Sequence, residues 1–264
     1  ARYSPTQKTR APKATSLAGS AERGIMISER HIATAFDRDL EAIQALIMKM
    51  GGLVEAAIMD AALALETRDQ ELAERVRKGD AAIDALEEQI NTECARLIAL
   101  RAPTAGDLRT ALTVMKIAAS LERCGDYAKN LAKRSTLLAQ MTAIEGAPGA
   151  IKRMAKAVEL LLRDALDAYI HRDVDLAADV RSRDREVDQM YNALFRQFLT
   201  YMMEDPRNIT ACMHLHFIAK NIERVGDHAT GVAEQVIYLV SGQMPEDDRQ
   251  KGDLTSTGQL ASGK

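Results

Sequence analysis

The sequence has no tryptophan, and aromatic residues fill only 4% of its 264 positions. That shortage argues against a β-sandwich or barrel, whose faces lean on aromatic and β-branched side chains. Cys94, Cys124 and Cys212 are scattered, form no C-x-x-C pair and cannot build a disulfide framework, which fits a reducing cytoplasm. No run of 18 uncharged apolar residues occurs, so no segment is expected to span a membrane, and no apolar stretch near Ala1 reads as a signal peptide. Charge is close to balanced, with 35 Lys and Arg against 38 Asp and Glu and a net of −3, so nothing drives the whole chain toward nucleic acid. The sequence also lacks G-x-x-x-x-G-K-[ST], G-x-S-x-G, H-E-x-x-H and a G-x-G-x-x-G after a strand. The Glu-x-x-His pairs of a di-iron bundle are missing too. No enzymatic activity is expected on these grounds.

What is abundant is the material of packed helices: 47% of residues are apolar, mostly Ala, Leu, Ile, Val and Met. Breaks fall at Pro103 with Gly106, at Gly146–Pro148–Gly149 and at Pro206, and shorter charged ones at Thr67–Asp69 and His171–Asp173. Between them, apolar residues recur at i, i+3, i+4 and i+7, which predicts helices over 30–66, 70–100, 105–140, 148–170, 174–203 and 208–241. A helix of 30 residues runs about 45 Å, and long antiparallel helices with short turns make a bundle. Residues 1–24, with Arg2, Lys8, Arg10, Lys13 and Arg23 against Glu22, read as a disordered basic tail, and 244–264 as a disordered polar one.

The two halves are copies. A shift of 104 residues sets Asp60 on Asp164, Arg68 on Arg172, Asp69 on Asp173, Leu72 on Leu176, Val76 on Val180, Asp80 on Asp184 and Asp84 on Asp188. Further along, a shift of 101 sets Glu122, Arg123, Gly125 and Asp126 on Glu223, Arg224, Gly226 and Asp227. The difference of three falls in a loop, where insertions are tolerated. The expected fold class is all-α: two tandem three-helix bundles related by internal duplication, over 25–141 and 148–243.

The chemistry concentrates in acids at helical spacing. Ile218, Ile222, Val225, Ala229, Val232 and Val236 form one seam; Ile117, Leu121, Cys124, Ala128 and Leu131 form its counterpart. Beside these seams sit the pairs Glu122/Asp126 and Glu223/Asp227, and the preceding helices carry Asp80/Asp84 and Asp184/Asp188. Like charges at i,i+4 repel, so four such pairs in duplicate suggest a compensating cation. All-oxygen donors favour Mg, Mn, Fe or Ca as divalent or trivalent ions. The plainer alternative is a set of surface acids neutralised by Arg123, Arg224 and other bases. Asp60 and Asp164 are marginal candidates for the same cluster. Gly125 and Gly226, mid-helix at a cost of about 1 kcal/mol each, imply a close backbone approach, room for an ion, or simple inheritance. His214 and His216 make a poor chelate; His228 has Tyr127 as its counterpart in the first repeat and reads as structural. Cys124 and the Met202–Met203 pair read as packing.

Several stretches carry a family resemblance. RAPTAGDLRTALTVMKIAASLERCGDYAKNLA, YMMEDPRNITACMHLHFIAKNIERVGDHATGVAEQVIYLVSG and KMGGLVEAAI resemble signature segments of the PhoU family, over about residues 25–243. The basic segment before Met26 is longer than the family usually shows. The resemblance implies two three-helix bundles and a negative regulator of the phosphate-starvation (Pho) response and of phosphate uptake. It implies metal at Asp80, Asp84, Glu122, Asp126, Asp184, Asp188, Glu223 and Asp227. It also implies a cytoplasmic adaptor contacting a sensor histidine kinase and the ATPase subunit of the phosphate ABC transporter. A homodimer is expected, with no nucleic-acid partner and only peripheral contact with the membrane. The alternative is a metal store or metal-dependent enzyme built on the same carboxylates.

Overall fold

The computed structural model describes residues 18–101 and 105–246. Six α-helices follow in order: α1 (Ala18–Thr67), α2 (Gln70–Arg101), α3 (Ala105–Leu138), α4 (Ala147–His171), α5 (Val174–Glu204) and α6 (Ile209–Ser241). One 3-10 turn, Pro206–Asn208, links α5 to α6, and no strand occurs among the described residues. The predicted helices after the first agree with these bounds to within two residues.

The first helix differs. It begins at Ala18 rather than near residue 30, so it takes in part of the expected tail. The added stretch is rich in Ala, Glu, Arg, Ile and Met, and its two glycines, Gly19 and Gly24, cost only about 1 kcal/mol each against a helix already nucleated downstream. The tail expectations for 1–17 and 247–264, and the Pro103 break, lie outside the described residues.

The duplication is visible down to its turns. Arg68 and Arg172, counterparts in the two halves, both adopt positive φ, 57° and 52°, just past the ends of α1 and α4. The residue after each accepts a hydrogen bond from the backbone N–H three positions on: Asp69 from Leu72 and Asp173 from Leu176, both at 2.9 Å. An arginine in the left-handed region costs about 1 kcal/mol, and an N-cap of this kind returns a similar amount.

Each half is a bundle in which all three helices touch, α1–α2–α3 and α4–α5–α6. The halves join through α1 on α4 and α3 on α6, so a single apolar cluster runs through both. Every residue of the two seams read from the sequence is buried. Met202 packs against the core, but Met203 is 85% exposed, so the packing expectation for that pair holds for one member only.

Both joining interfaces are antiparallel. On α1–α4, Glu55 faces Arg163 at 3.1 Å and Glu66 faces Lys152 at 2.5 Å. On α3–α6, Tyr127 and its repeat counterpart His228 lie ring against ring, 5.8 Å apart. This contact between repeat counterparts puts a local two-fold close to Tyr127 and His228. Phe36–Thr67 is, by length and composition, apolar enough to cross a membrane, which the count of uncharged residues did not reveal. In this fold its Ile43, Ile47, Met50, Val54 and Ile58 are buried in the bundle.

Candidate metal centre

The first carboxylate group is assembled by α2 and α3. Lys129 of α3 is ion-paired with Asp80 of α2, while Glu122 of α3 lies in the field of Asp84 and Glu87, the register of antiparallel helices. Asp80 is only 3% exposed, and its Oδ2 takes the Lys129 ammonium as partner. The same Nζ lies 3.7 Å from Asp126. Arg123 lies 3.6 Å from Glu122 and 3.9 Å from Asp126, the neutralising role expected of it.

These acids repel one another. Desolvation, then the Asp80 charge, pushes the Asp84 carboxyl above its ordinary range; Lys129 opposes this and Asp126 adds to it. Glu122 is likewise raised, first by desolvation and then by Asp126, with Arg123 opposing and Glu87 and Asp84 adding. The hydrogen bond to Asp80 is the main cause that raises Lys129 above its normal value, so the ammonium is charged throughout the physiological range. The structure thus brings Asp80, Asp84, Glu122 and Asp126 into one electrostatic neighbourhood.

The second group lies between α5 and α6. Asp184, Asp188 and Glu223 are buried, and Asp227 is half-buried. Lys220 Nζ is 2.8 Å from Glu223 Oε1 and lies 4.9 Å from the centre of the Tyr191 ring. The two glycines explain themselves here. A Cβ at Gly226 would stand 3.0 Å from Asp184 Oδ1 and 3.4 Å from Val187; one at Gly125 would stand 3.0 Å from Ile83 and 3.6 Å from Asp80 Oδ1. Ile83 and Val187 are repeat counterparts, so in both copies glycine lets the helix carrying the buried aspartate approach closely.

Asp60 and Asp164 do not join the groups. Asp60 is exposed on α1, and Asp164 is taken by Arg183 of α5. Arg224 does not mirror Arg123: its guanidinium lies 5.9 Å from the Tyr127 ring. The histidines are spent in packing. His214 lies 3.1 Å from Arg134, and burial followed by that charge lowers its pKa. His216 sits among Tyr191, Phe195 and Phe217, and burial keeps His228 below its ordinary value despite the opposing charge of Asp227. Cys124 is fully buried, and desolvation raises its thiol far above the normal range, which makes it an inert core residue.

Sequence reasoning missed Lys129, Lys220 and Glu159. Lys129 lies three residues after Asp126 and Lys220 three before Glu223, spacings that share a helix face and were open to inspection. Glu159 of α4 is a buried acid, held by Lys156 at 2.6 Å and by Arg163.

The donor chemistry suits a hard cation. Asp80 Oδ1 is buried without a hydrogen-bond partner, on the side of α2 that faces Gly125. Even so, no three His, Cys, Asp or Glu side chains among the described residues converge closely enough to hold one ion as placed. Lysine ammoniums stand among them.

The fold and the paired acidic helices define a class: duplicated three-helix bundles bearing one carboxylate group per repeat. A family model, the PhoU domain, matches residues 47–135 and again 151–236, one match in each half. The chain belongs to the PhoU family. It is 45% identical over 226 residues to a phosphate-specific transport system accessory protein PhoU homolog of Caulobacter vibrioides, covering 86% of this chain and 98% of that one. A homolog of the same description from Zymomonas mobilis is 48% identical over 229 residues, with 86% and 96% covered. The crystal structure of PhoU from Pseudomonas aeruginosa superposes with a TM-score of 0.76 at 38% identity, over 79% of this chain and all of that one. The phosphate transport system regulatory protein PhoU from Streptococcus pneumoniae superposes with a TM-score of 0.74 at 29% identity, covering 80% and 99%.

Proposed function

We propose that this chain is an accessory protein of the phosphate-specific transport system and a negative regulator of the phosphate-starvation response. The observation that carries this reading is the family match in both repeats, together with 45% identity across nearly the whole of the Caulobacter relative. In the finer reading the chain is a cytoplasmic adaptor. When phosphate is plentiful it couples the ATPase subunit of the phosphate ABC transporter to the sensor histidine kinase and holds the kinase from activating its response regulator. A homodimer is part of this reading.

The physical basis for docking is the surface that long helices present. Helices of 25 to 50 residues offer extended faces and grooves, the kind of surface that partner helices and domains engage. Leu108 and Leu112 of α3 and Met213 and Phe217 of α6 are large apolar side chains left exposed. Divalent or trivalent ions, Mg, Mn, Fe or Ca, are proposed to bind at Asp80, Asp84, Glu122 and Asp126 and at Asp184, Asp188, Glu223 and Asp227. A bound ion would supply positive charge that cross-links α2 to α3 and α5 to α6. Use as a metal store or a metal-dependent enzyme would need an open coordination position and an activating side chain. Arg123, Lys129 and Lys220 stand beside the acids in this fold and serve as counter-ions.

Co-purification tests the adaptor. From detergent extracts of phosphate-replete cells, the tagged chain is expected to recover both the transporter ATPase and the histidine kinase. Recovery of neither would contradict the adaptor reading.

A further inference from the structure

The two carboxylate groups are copies, but their lysines are not. Lys129, which holds Asp80, corresponds to Thr230 in the second repeat, and the Thr230 hydroxyl donates to the Gly226 carbonyl at 3.0 Å instead. Lys220, which holds Glu223, corresponds to Ala119 in the first. Each group therefore has an ammonium of its own, brought in from the opposite end of the helix: three residues past the last acid in α3, three residues before the first acid in α6. Inheritance from one ancestral repeat places residues at equivalent positions and does not account for this.

The ammonium in the first repeat stands where a metal ion's charge would be needed. It contacts the buried Asp80 and lies 3.7 Å from Asp126, joining the two acids across α2 and α3. It leaves one buried oxygen, Asp80 Oδ1, without a hydrogen bond. Its stem is flexible and the side chain is 42% exposed, so the ammonium can swing into water. We infer that Lys129 is a built-in counter-ion of the first carboxylate group, and that a divalent cation enters there only by displacing it. Lys220 plays the same part for Glu223. The inference rests on reading these groups as cation sites and adds what sets their affinity: a tethered competitor that holds the helices together while no ion is bound.

The test uses the full chain, Mn²⁺ as probe, and isothermal titration with elemental analysis after dialysis. Lys129→Thr installs the residue of the second repeat, and Lys129→Gln keeps a long polar side chain should the first variant fold poorly. Both are expected to tighten Mn²⁺ binding at one site by about tenfold or more, because the competing charge is gone. Adding Asp80→Asn to either variant is expected to abolish the gain. The same variants should melt at lower temperature in EDTA and recover when Mn²⁺ is added. Unchanged affinity in both lysine variants, with Asp80→Asn still weakening binding, would overturn the competitor role while leaving the cation site standing. Absence of Mn²⁺ binding in every form, lysine variants included, would overturn both.

Discussion

Leu121→Ala is expected to lower the unfolding free energy by about 3 kcal/mol and the melting midpoint by about 6–12 °C. Leu121 is completely buried on α3, at the level where this helix meets α1, α2 and α6. Truncation removes its transfer energy and leaves a cavity that rigid neighbouring helices close only in part. The informative outcome is the form of the transition. One apolar cluster runs through both repeats, and α1–α4 and α3–α6 pack as closely as helices within a repeat, so the halves are expected to unfold together. A lesion in the first half should therefore move a single calorimetric transition. Two transitions, only one of them shifted, would show that the repeats are separate folding units. Ile222→Ala, the equivalent lesion in the second half, should move the same single transition.

Lys156→Ala combined with Arg163→Ala is expected to cost about 2–3 kcal/mol, read from denaturant unfolding. Glu159 is 3% exposed on α4, and these two bases are its ion partners. Removing both leaves a buried carboxylate without compensation, an error larger than the value of the pairs themselves. Because both bases are roughly half exposed, water re-enters, and the loss falls below that of a fully enclosed charge. Arg163 also holds Glu55 of α1, so part of the loss belongs to the joint between the repeats. Glu159→Gln in the double variant should recover most of the stability, since a neutral amide carries no unpaired charge. Failure to recover would assign the loss to the basic side chains' own packing.

What could be read from the sequence was whatever the local chain decides. Asp69 and Asp173 cap α2 and α5 through bonds to residues three positions on, so those boundaries were visible without any tertiary contact. The seams were legible because helical periodicity is itself a statement about burial. The start of α1 was not legible: no proline stands between Ala18 and residue 30, and the helix runs back through Ser28 to Ala18. Four acids of the first group were placed correctly in one neighbourhood because two helical faces and an antiparallel turn suffice to bring them together. Lys129 escaped notice because its partner, Asp80, lies 49 positions away and depends on the register of α2 against α3. Glu159 was missed for a related reason. Its neighbours Val158, Leu161 and Leu162 are all buried, and which flank of that apolar stripe is covered depends on how the helices pack around α4. Asp60 and Asp164 show the limit of duplication as a guide, since Asp164 is held by Arg183 while Asp60 is exposed on α1.

The most direct test of the central claim is alkaline phosphatase activity in phosphate-rich medium, measured in a strain deleted for this gene and in that strain complemented with it. High activity on deletion, silenced by complementation, is the result predicted for a negative regulator of the phosphate response. Low activity in both strains would contradict it.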